Sequence, residues 1–463
     1  MRSFILAVPN QIEALLSSCK SDLKELLDSL SETNLAQARG VLGLAQAVAV
    51  LVQICPSRPL YFSGDVILEI WTLANSLLQS SAKSDLRVSQ IQIQVAWNLI
   101  GALMAAGSPF IKSRLTQLSV LWQNALPRPF SKESMATRNL SELQYLLQVK
   151  EKALSTLWLF LQYNVKLLTH DISKRILTML SDTNSFVGSL PPAPIGEDPR
   201  TLASHSQMTE IAIKVKMRVM RCYCSLAATQ GVGNLSGPEL LMSAISVFSD
   251  SDPLFSRFST GKQALGGSFE SFSLTADNYA WGLSSYVHTL CIPEPSGDKE
   301  SICTGHWSLW DSDNEILEQM VRCKETAFSN WKLTEPIVGA IEHDTTHLYC
   351  HAGDALDIPQ PPPPPTALVD AAIELFSISV FDQPVKIQES AFAQIAACFS
   401  SGSFSKHAGR KAAAMNNIGI AISKSLSNPM MSNLKNVVAQ IGLVKVMLFD
   451  TLKVRCIYLF ANL

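Results

Sequence analysis

No apolar run in this chain reaches the roughly 20 residues that a helix needs to cross a bilayer. The longest candidate, Gly40 to Cys55 (GVLGLAQAVAVLVQIC), is interrupted by Gln46 and Gln53 and reads as a buried helix. A leader with a charged start, an apolar centre and a small-residue cleavage site is also missing from the first residues. An excess of one charge is missing too: 37 Lys and Arg face 39 Asp and Glu, a net charge of −2. No global field therefore draws the chain to nucleic acid. Alternating β-branched runs and hairpin turns are scarce, which argues against strands. The ten cysteines are scattered without a framework. In so apolar a chain they read as reduced core residues, which places the protein in a reducing compartment. Asn139 and Asn234 open Asn-Leu-Ser triplets, but with no sign of secretion they carry no expectation of glycosylation.

Catalytic motifs are absent as well. There is no nucleophile elbow, dinucleotide fingerprint or metalloprotease helix. The nearest echo of a phosphate loop is Gly261-Lys262, which lacks the earlier glycine and continues into Gln263. The expectation is a protein that is not an enzyme and holds no cofactor.

What the chain has in quantity is amphipathic helix. Apolar residues make up 47% of the 463 and mean hydropathy is +0.17. That is high for a chain without a membrane span and too much for one compact core. The stretch Ser84–Phe130 shows how the surplus is used. Val88, Ile91, Val95, Leu99 and Ala102 recur every three or four residues and share a helix face. Ser108-Pro109 makes the turn, serine as cap and proline in the first helical turn. A second helix follows with Ile111, Leu115, Leu118 and Trp122 on one stripe, stopped by Pro127 and Pro129. Such a pair cannot bury both faces alone. The pattern predicts an all-α fold, an α-solenoid of HEAT-like or armadillo-like helical pairs.

The same reading extends along the chain. Helices are predicted from Pro9 to Leu30, over Leu35–Cys55, after a cap at Asp65, over Leu140–Tyr163 and over Asp171–Leu180. Residues 1–187 form a first helical array. Residues 188–204, SLPPAPIGEDPRTLAS with the glycine before it, read as a linker. Residues 205–343 form a second array, with helices over Gln207–Thr229, Glu239–Phe248, Thr275–Leu290 and Asn314–Trp331. It carries a long irregular loop, 250–313, rich in Ser, Gly and Asp. Residues 344–365 are a proline-rich linker whose five final prolines predict a stiff polyproline II rod. Residues 366–463 form a third array, with helices over Ala367–Val380, Pro384–Ser400, Ala408–Leu426 and Leu434–Phe460. It closes on KVRCIYLFANL without a polar cap, so the chain is expected to be a fragment of a longer array.

Four clusters have the residue types of a site. His306-Trp307-Ser308-Leu309-Trp310 precedes Asp311, Ser312 and Asp313. Two aromatics beside acids form a peptide that a grooved partner could grip, and the alternative is that both tryptophans fold onto the helices. Trp307, Trp310, Asp311 and Asp313 are the candidate partner-binding residues. His343, His347, Cys350 and His351 have an i, i+4 histidine pair that could share a zinc, but no second Cys/His pair sits at a finger spacing. No metal site is therefore assigned. Lys214, Lys216, Arg218 and Arg221 form a basic run in which Lys214, Arg218 and Arg221 share a face, and Ile211, Val215 and Val219 supply an apolar one. The basic face is read as solvated, the alternative being an acidic partner or headgroup. Cys222 and Cys224, and Trp97, Trp122 and Trp158, are read as core.

One resemblance goes beyond these patterns. The run QVAWNLIGALMAAGSPFIKSRLTQLSVLWQNALPR, from Trp97–Gly101 through Gly107-Ser108-Pro109 and Ser113-Arg114-Leu115 to Leu121-Trp122, Asn124, Pro127 and Arg128, resembles the HEAT-repeat-containing protein five family. This family includes the fungal large clathrin-adaptor accessory proteins. PPPPPTALVDAAIELFSISV, with Ala367 to Ala372 and Glu374-Leu375-Phe376, is a second similar stretch. Gly267-Ser268-Phe269 with Ser271-Phe272 is a weaker third. The resemblance implies a long HEAT solenoid without enzymatic activity, in the cytoplasm and peripherally on Golgi and endosomal or endocytic vesicle membranes. It implies as partner the clathrin adaptor complex of the trans-Golgi network and endosomes, in sorting and retrieval of cargo. The rival reading is an α-solenoid of the nuclear-transport or microtubule-associated kind that binds extended peptides or tubulin. An enzyme built on the His343–His351 cluster is a remote third.

Overall fold

The computed structural model describes residues 9–30, 37–55, 64–128, 137–191, 199–230, 238–249, 251–252, 254 and 364–400, and helical positions at 417–418, 421–422 and 425. These residues form twelve α-helices, with no strand among them. The all-α expectation is met. In chain order the helices are α1 (Ile12–Asp28), α2 (Ala38–Ile54), α3 (Gly64–Ser81), α4 (Leu86–Leu103), α5 (Ser108–Lys112) and α6 (Leu115–Ala125). They continue as α7 (Leu140–Tyr163), α8 (His170–Gly188), α9 (Pro199–Gln230), α10 (Pro238–Phe248), α11 (Pro364–Ser379) and α12 (Val385–Ser400). No described helix is long and apolar enough to cross a membrane. The chain divides into two compact units, residues 1–191 with 221–235, and residues 192–220 with 236–463. Helix α9 contributes to both.

In the first unit α4 is the hub, packed against α2, α3 and α7. The stripe of Val88, Ile91, Val95, Leu99 and Ala102 is buried as the spacing predicts. The C-terminal half goes further: Ala96, Trp97, Ile100, Gly101 and Leu103 are buried too, because neighbours enclose it on several sides. A polar seam joins α4 to α7. Ser89 Oγ and Tyr145 OH lie 2.9 Å apart, Gln94 donates to Gln148 at 3.2 Å, Thr156 Oγ1 lies 3.1 Å from the Trp97 carbonyl, and Asn164 donates to the Met104 carbonyl at 2.9 Å. The paired numbers rise together, so α4 and α7 run in the same direction. Helix α7 pairs likewise with the end of α9, through Leu154 O with Cys222 Sγ and Gln162 with Ser225.

Gly101 and Gly107 fix the geometry of this joint. A Cβ on Gly101 would meet Leu159 Cδ1 at 3.1 Å and Thr156 Oγ1 at 3.4 Å, so glycine lets α4 approach α7 closely. Gly107, at φ 102° and ψ 156°, takes a conformation that only glycine adopts without strain. This corrects the expected turn. Gly107, not Ser108, is the N-cap; Ser108 already lies in the helix with Pro109 beside it, and no side chain caps the end. The single second helix is also divided in two. Arg114 leaves helical geometry (φ −116°, ψ 1°), donates to the Phe110 carbonyl at 3.2 Å and lays its guanidinium 3.9 Å from the centre of the Phe110 ring. Gly107→Ala should lower stability by about 1–3 kcal/mol without changing helix content, read by denaturant unfolding with circular dichroism.

Three other helix starts differ from expectation for one reason: the first-turn amides have no intrahelical acceptor. Helix α9 begins at Pro199, so the second part of the expected 188–204 linker is helical. Helix α11 begins at Pro364, so the expected polyproline II rod gives way to helix at Pro364 and Pro365. Proline fits both places because its missing N–H costs nothing there. Helix α3 starts at Gly64, which puts Asp65 inside the first turn, beside the positive end of the helix dipole, rather than at the cap. Helix α8 runs on to Gly188, beyond the predicted Leu180, burying Thr183, Phe186 and Val187.

In the second unit α10 packs against α11 and α12. Phe248 meets Phe376 edge-on with ring centres 5.4 Å apart, and Phe376 meets Phe392 at 6.3 Å. The turn before α12 is held by Gln388, which donates to the carbonyls of Gln383 at 2.6 Å and Phe381 at 3.1 Å.

Candidate functional site

Helix α6 ends at Ala125, and the chain runs on through Leu126, Pro127 and Arg128 along α8. A cleft of ≈ 290 Å³ lies between them. Gln123, Leu126, Pro127 and Arg128 form one wall. Arg175, Thr178, Met179 and Asp182 form the other, from successive turns of α8. Leu126 and Met179 are buried and supply an apolar floor, whereas Arg128, Arg175 and Thr178 reach solvent. Arg175 pairs with Asp171 at 3.0 Å on the surface, an exposed pair that contributes little. Thr178 donates to the Lys174 carbonyl at 3.1 Å.

A charge lies beneath this wall. Lys150 on α7 is 1% exposed, its Nζ 4.6 Å from the centre of the Phe186 ring on α8, with no hydrogen-bond acceptor. Burial lowers its pKa from 10.5 to about 8, and the negative charge of Asp182 pushes it back up. Asp182 thus faces two ways, lining the cleft and offsetting the buried ammonium. Nearby, Trp122 packs its ring 5.3 Å from Phe160, and its buried Nε1 finds no acceptor. The cleft offers two guanidiniums and an amide over an apolar floor, with one carboxylate at the edge. That arrangement suits binding of an oxyanion.

The second unit contains another buried charge. Lys216 on α9 and Asp252 after α10 form an ion pair with side chains 8% and 2% exposed. Ser246 donates to Asp252 Oδ2 at 3.1 Å, and the Leu254 amide donates to Oδ1 at 2.9 Å. Lys216 thus stands apart from the partly exposed face of Lys214, Arg218 and Arg221. Lys214 is half-exposed and bound to Glu210 at 2.7 Å, but Lys216 is core. The spacing explains it: Lys216 stands four residues from Ala212 and Met220 and three from Ile213 and Val219, all buried. Lys150 occupies the same kind of position between Leu147 and Leu154. A lysine inside an apolar stripe was the available signal for both.

Cys222 and Cys224 are buried as expected, Cys222 directing its thiol toward the Leu154 carbonyl at 3.5 Å. Burial pushes the Cys55 thiol up to about 12, as for an inert core cysteine. Trp97 and Trp122 are core, but Trp158 is half-exposed, which corrects its expected place. Trp307, Trp310, Asp311 and Asp313 lie outside the described residues, as do His343, His347, Cys350 and His351 and the helices expected over 275–290, 314–331 and 434–460. Among the described residues no three His, Cys, Asp or Glu side chains gather around a common metal position. No protein-family model matches the chain, and no solved structure matches it.

Proposed function

We propose that this chain is a scaffold without catalytic activity, an α-solenoid segment of the HEAT-repeat-containing protein five type. Its role is in clathrin-adaptor-dependent trafficking between endosomes and the trans-Golgi network. The observation that carries the solenoid half of the reading is the direction of the helices. Helices α4, α7 and the end of α9 lie side by side and parallel, each separated in sequence by a returning segment. Stacked helical pairs place alternate helices in this way. The trafficking half rests on the resemblance of the Trp97–Arg128 stretch, whose Trp97, Gly101, Gly107 and Trp122 form the joint between α4, α6 and α7. In this reading the chain works in the cytoplasm, reaches Golgi and endosomal membranes through its partners, and presents Trp307, Trp310, Asp311 and Asp313 to an adaptor ear domain.

Proximity labelling in cells with the tagged full chain tests it. Adaptor subunits and clathrin should dominate the labelled neighbours, and Trp307→Ala with Trp310→Ala should deplete the adaptor severalfold. Nuclear-pore or tubulin neighbours in place of adaptors overturn the trafficking reading in favour of its rival. Adaptor labelling that survives the double substitution removes the tryptophans from the contact.

A further inference from the structure

We infer that the cleft between the end of α6 and α8 is a docking site for a short acidic peptide of a partner protein, one carboxylate of which is held between Arg128 and Arg175. Three observations support this. The first is size: ≈ 290 Å³ accommodates one or two side chains, not a folded surface. The second is polarity. Arg128 and Arg175 stand on opposite walls, and their planar forks match a carboxylate, while Leu126 and Met179 offer a dry floor to an adjacent apolar side chain. The third is the buried field. The Lys150 ammonium has no hydrogen-bond acceptor among the described residues, and the cleft carboxylate of Asp182 offsets its charge.

Charge selects among oxyanions. With the Lys150 ammonium beneath them, the two arginines outweigh Asp182 by two positive charges. Asp182, however, lies in the cleft wall beside the ligand, and that proximity suits a singly charged carboxylate. A phosphate dianion would crowd a second negative charge against Asp182. Arg175 is free to turn to a ligand because its pairing with Asp171 is an exposed one, 62% and 69% open to solvent. The inference borrows from the scaffold reading only the idea that the ligand is a peptide. Its failure would leave adaptor labelling in cells unchanged, and loss of adaptor labelling would leave the cleft's affinity unchanged.

The test is fluorescence anisotropy on the full chain with a labelled peptide of alternating leucine and glutamate. Its glutamine counterpart, a version with phosphoserine for glutamate, and inorganic phosphate as competitor complete the set. The glutamate peptide should bind at least about tenfold more tightly than the glutamine peptide, with a strong dependence on salt. Arg128→Gln with Arg175→Gln should weaken it by about tenfold or more. Both side chains are exposed, so the fold should survive, which a thermal melt checks. Asp182→Asn should act in the opposite direction, tightening the glutamate peptide severalfold and bringing the phosphoserine peptide up to match it. Equal binding of the glutamine peptide overturns the proposal, as does full affinity in the double arginine variant. A phosphoserine peptide that outcompetes glutamate on the unmodified chain, or displacement by inorganic phosphate at sub-millimolar concentration, overturns the carboxylate assignment.

Discussion

Lys216→Ala should destabilise the second unit by about 3–5 kcal/mol, the usual penalty for stranding one member of a buried ion pair. Asp252 is 3% exposed, and without the ammonium its charge has only the Ser246 hydroxyl and the Leu254 amide to hold it. Part of the loss is the cavity that alanine leaves in place of the lysine stem. The decisive comparison is therefore Lys216→Met, alone and combined with Asp252→Leu. The single change keeps the volume and still strands the carboxylate, so it should remain costly. The double change removes both charges and should recover most of the loss. What it does not recover is the pairing of the Leu254 amide. Because the chain has two compact units, one unfolding midpoint is not a sufficient readout. Urea unfolding should show the loss in one transition. Hydrogen exchange should place it in α10 and residues 205–220, leaving the amides of α4 and α7 protected as before. An equal loss of protection across α4 and α7 would show that the units unfold together.

The Lys216 pair also shows where sequence reading stopped. The periodicity of α4 and α7 was legible because apolar stripes announce a buried face whatever lies opposite. The stripe on α4 did not reveal that Ala96, Ile100 and Leu103 would be buried as well, because that depends on how many neighbours arrive. Helix ends were read from residue type, and type was ambiguous at each place it failed. Proline ends one helix and begins another, so residue type alone does not distinguish a helix start at Pro199 or Pro364 from a linker or a rod. Serine before proline suggests a cap, yet Gly107, in a conformation open only to glycine, performs that role. The cleft was not legible at all. Arg128, Arg175 and Asp182 are 47 and seven residues apart in succession, and only the packing of α8 against the end of α6 brings them together. The buried lysines were legible in principle, since Lys150 and Lys216 interrupt apolar stripes. In Lys216 the surrounding basic residues disguised the interruption as a charged face.

Lys150→Met should stabilise the first unit by about 3 kcal/mol at neutral pH, the largest gain expected from any single change here. The magnitude follows from the shift, from 10.5 down to about 8, on a residue that is 1% exposed and so not screened by solvent. The sign follows from proton counting. In the folded chain Lys150 holds its proton less tightly than in the unfolded chain, so folding is penalised wherever both states are protonated. The full penalty applies below pH 8, fades as pH rises, and is gone above about 10.5. Methionine has no proton to lose and fills a similar space, so the variant's advantage should be greatest at pH 7 and near zero by pH 10.5. The contact with the Phe186 ring is lost, which trims the gain, because that ring faces the ammonium at 4.6 Å. Asp182 supplies the control. In the unmodified chain Asp182→Asn removes the charge that steadies the ammonium and should destabilise at pH 7. In the Lys150→Met background the same change should cost little, and the difference between the two measures the coupling directly. If Lys150→Met instead destabilises at pH 7, the ammonium has a partner that its geometry does not reveal, and the acid-binding cleft above it is the first place to look.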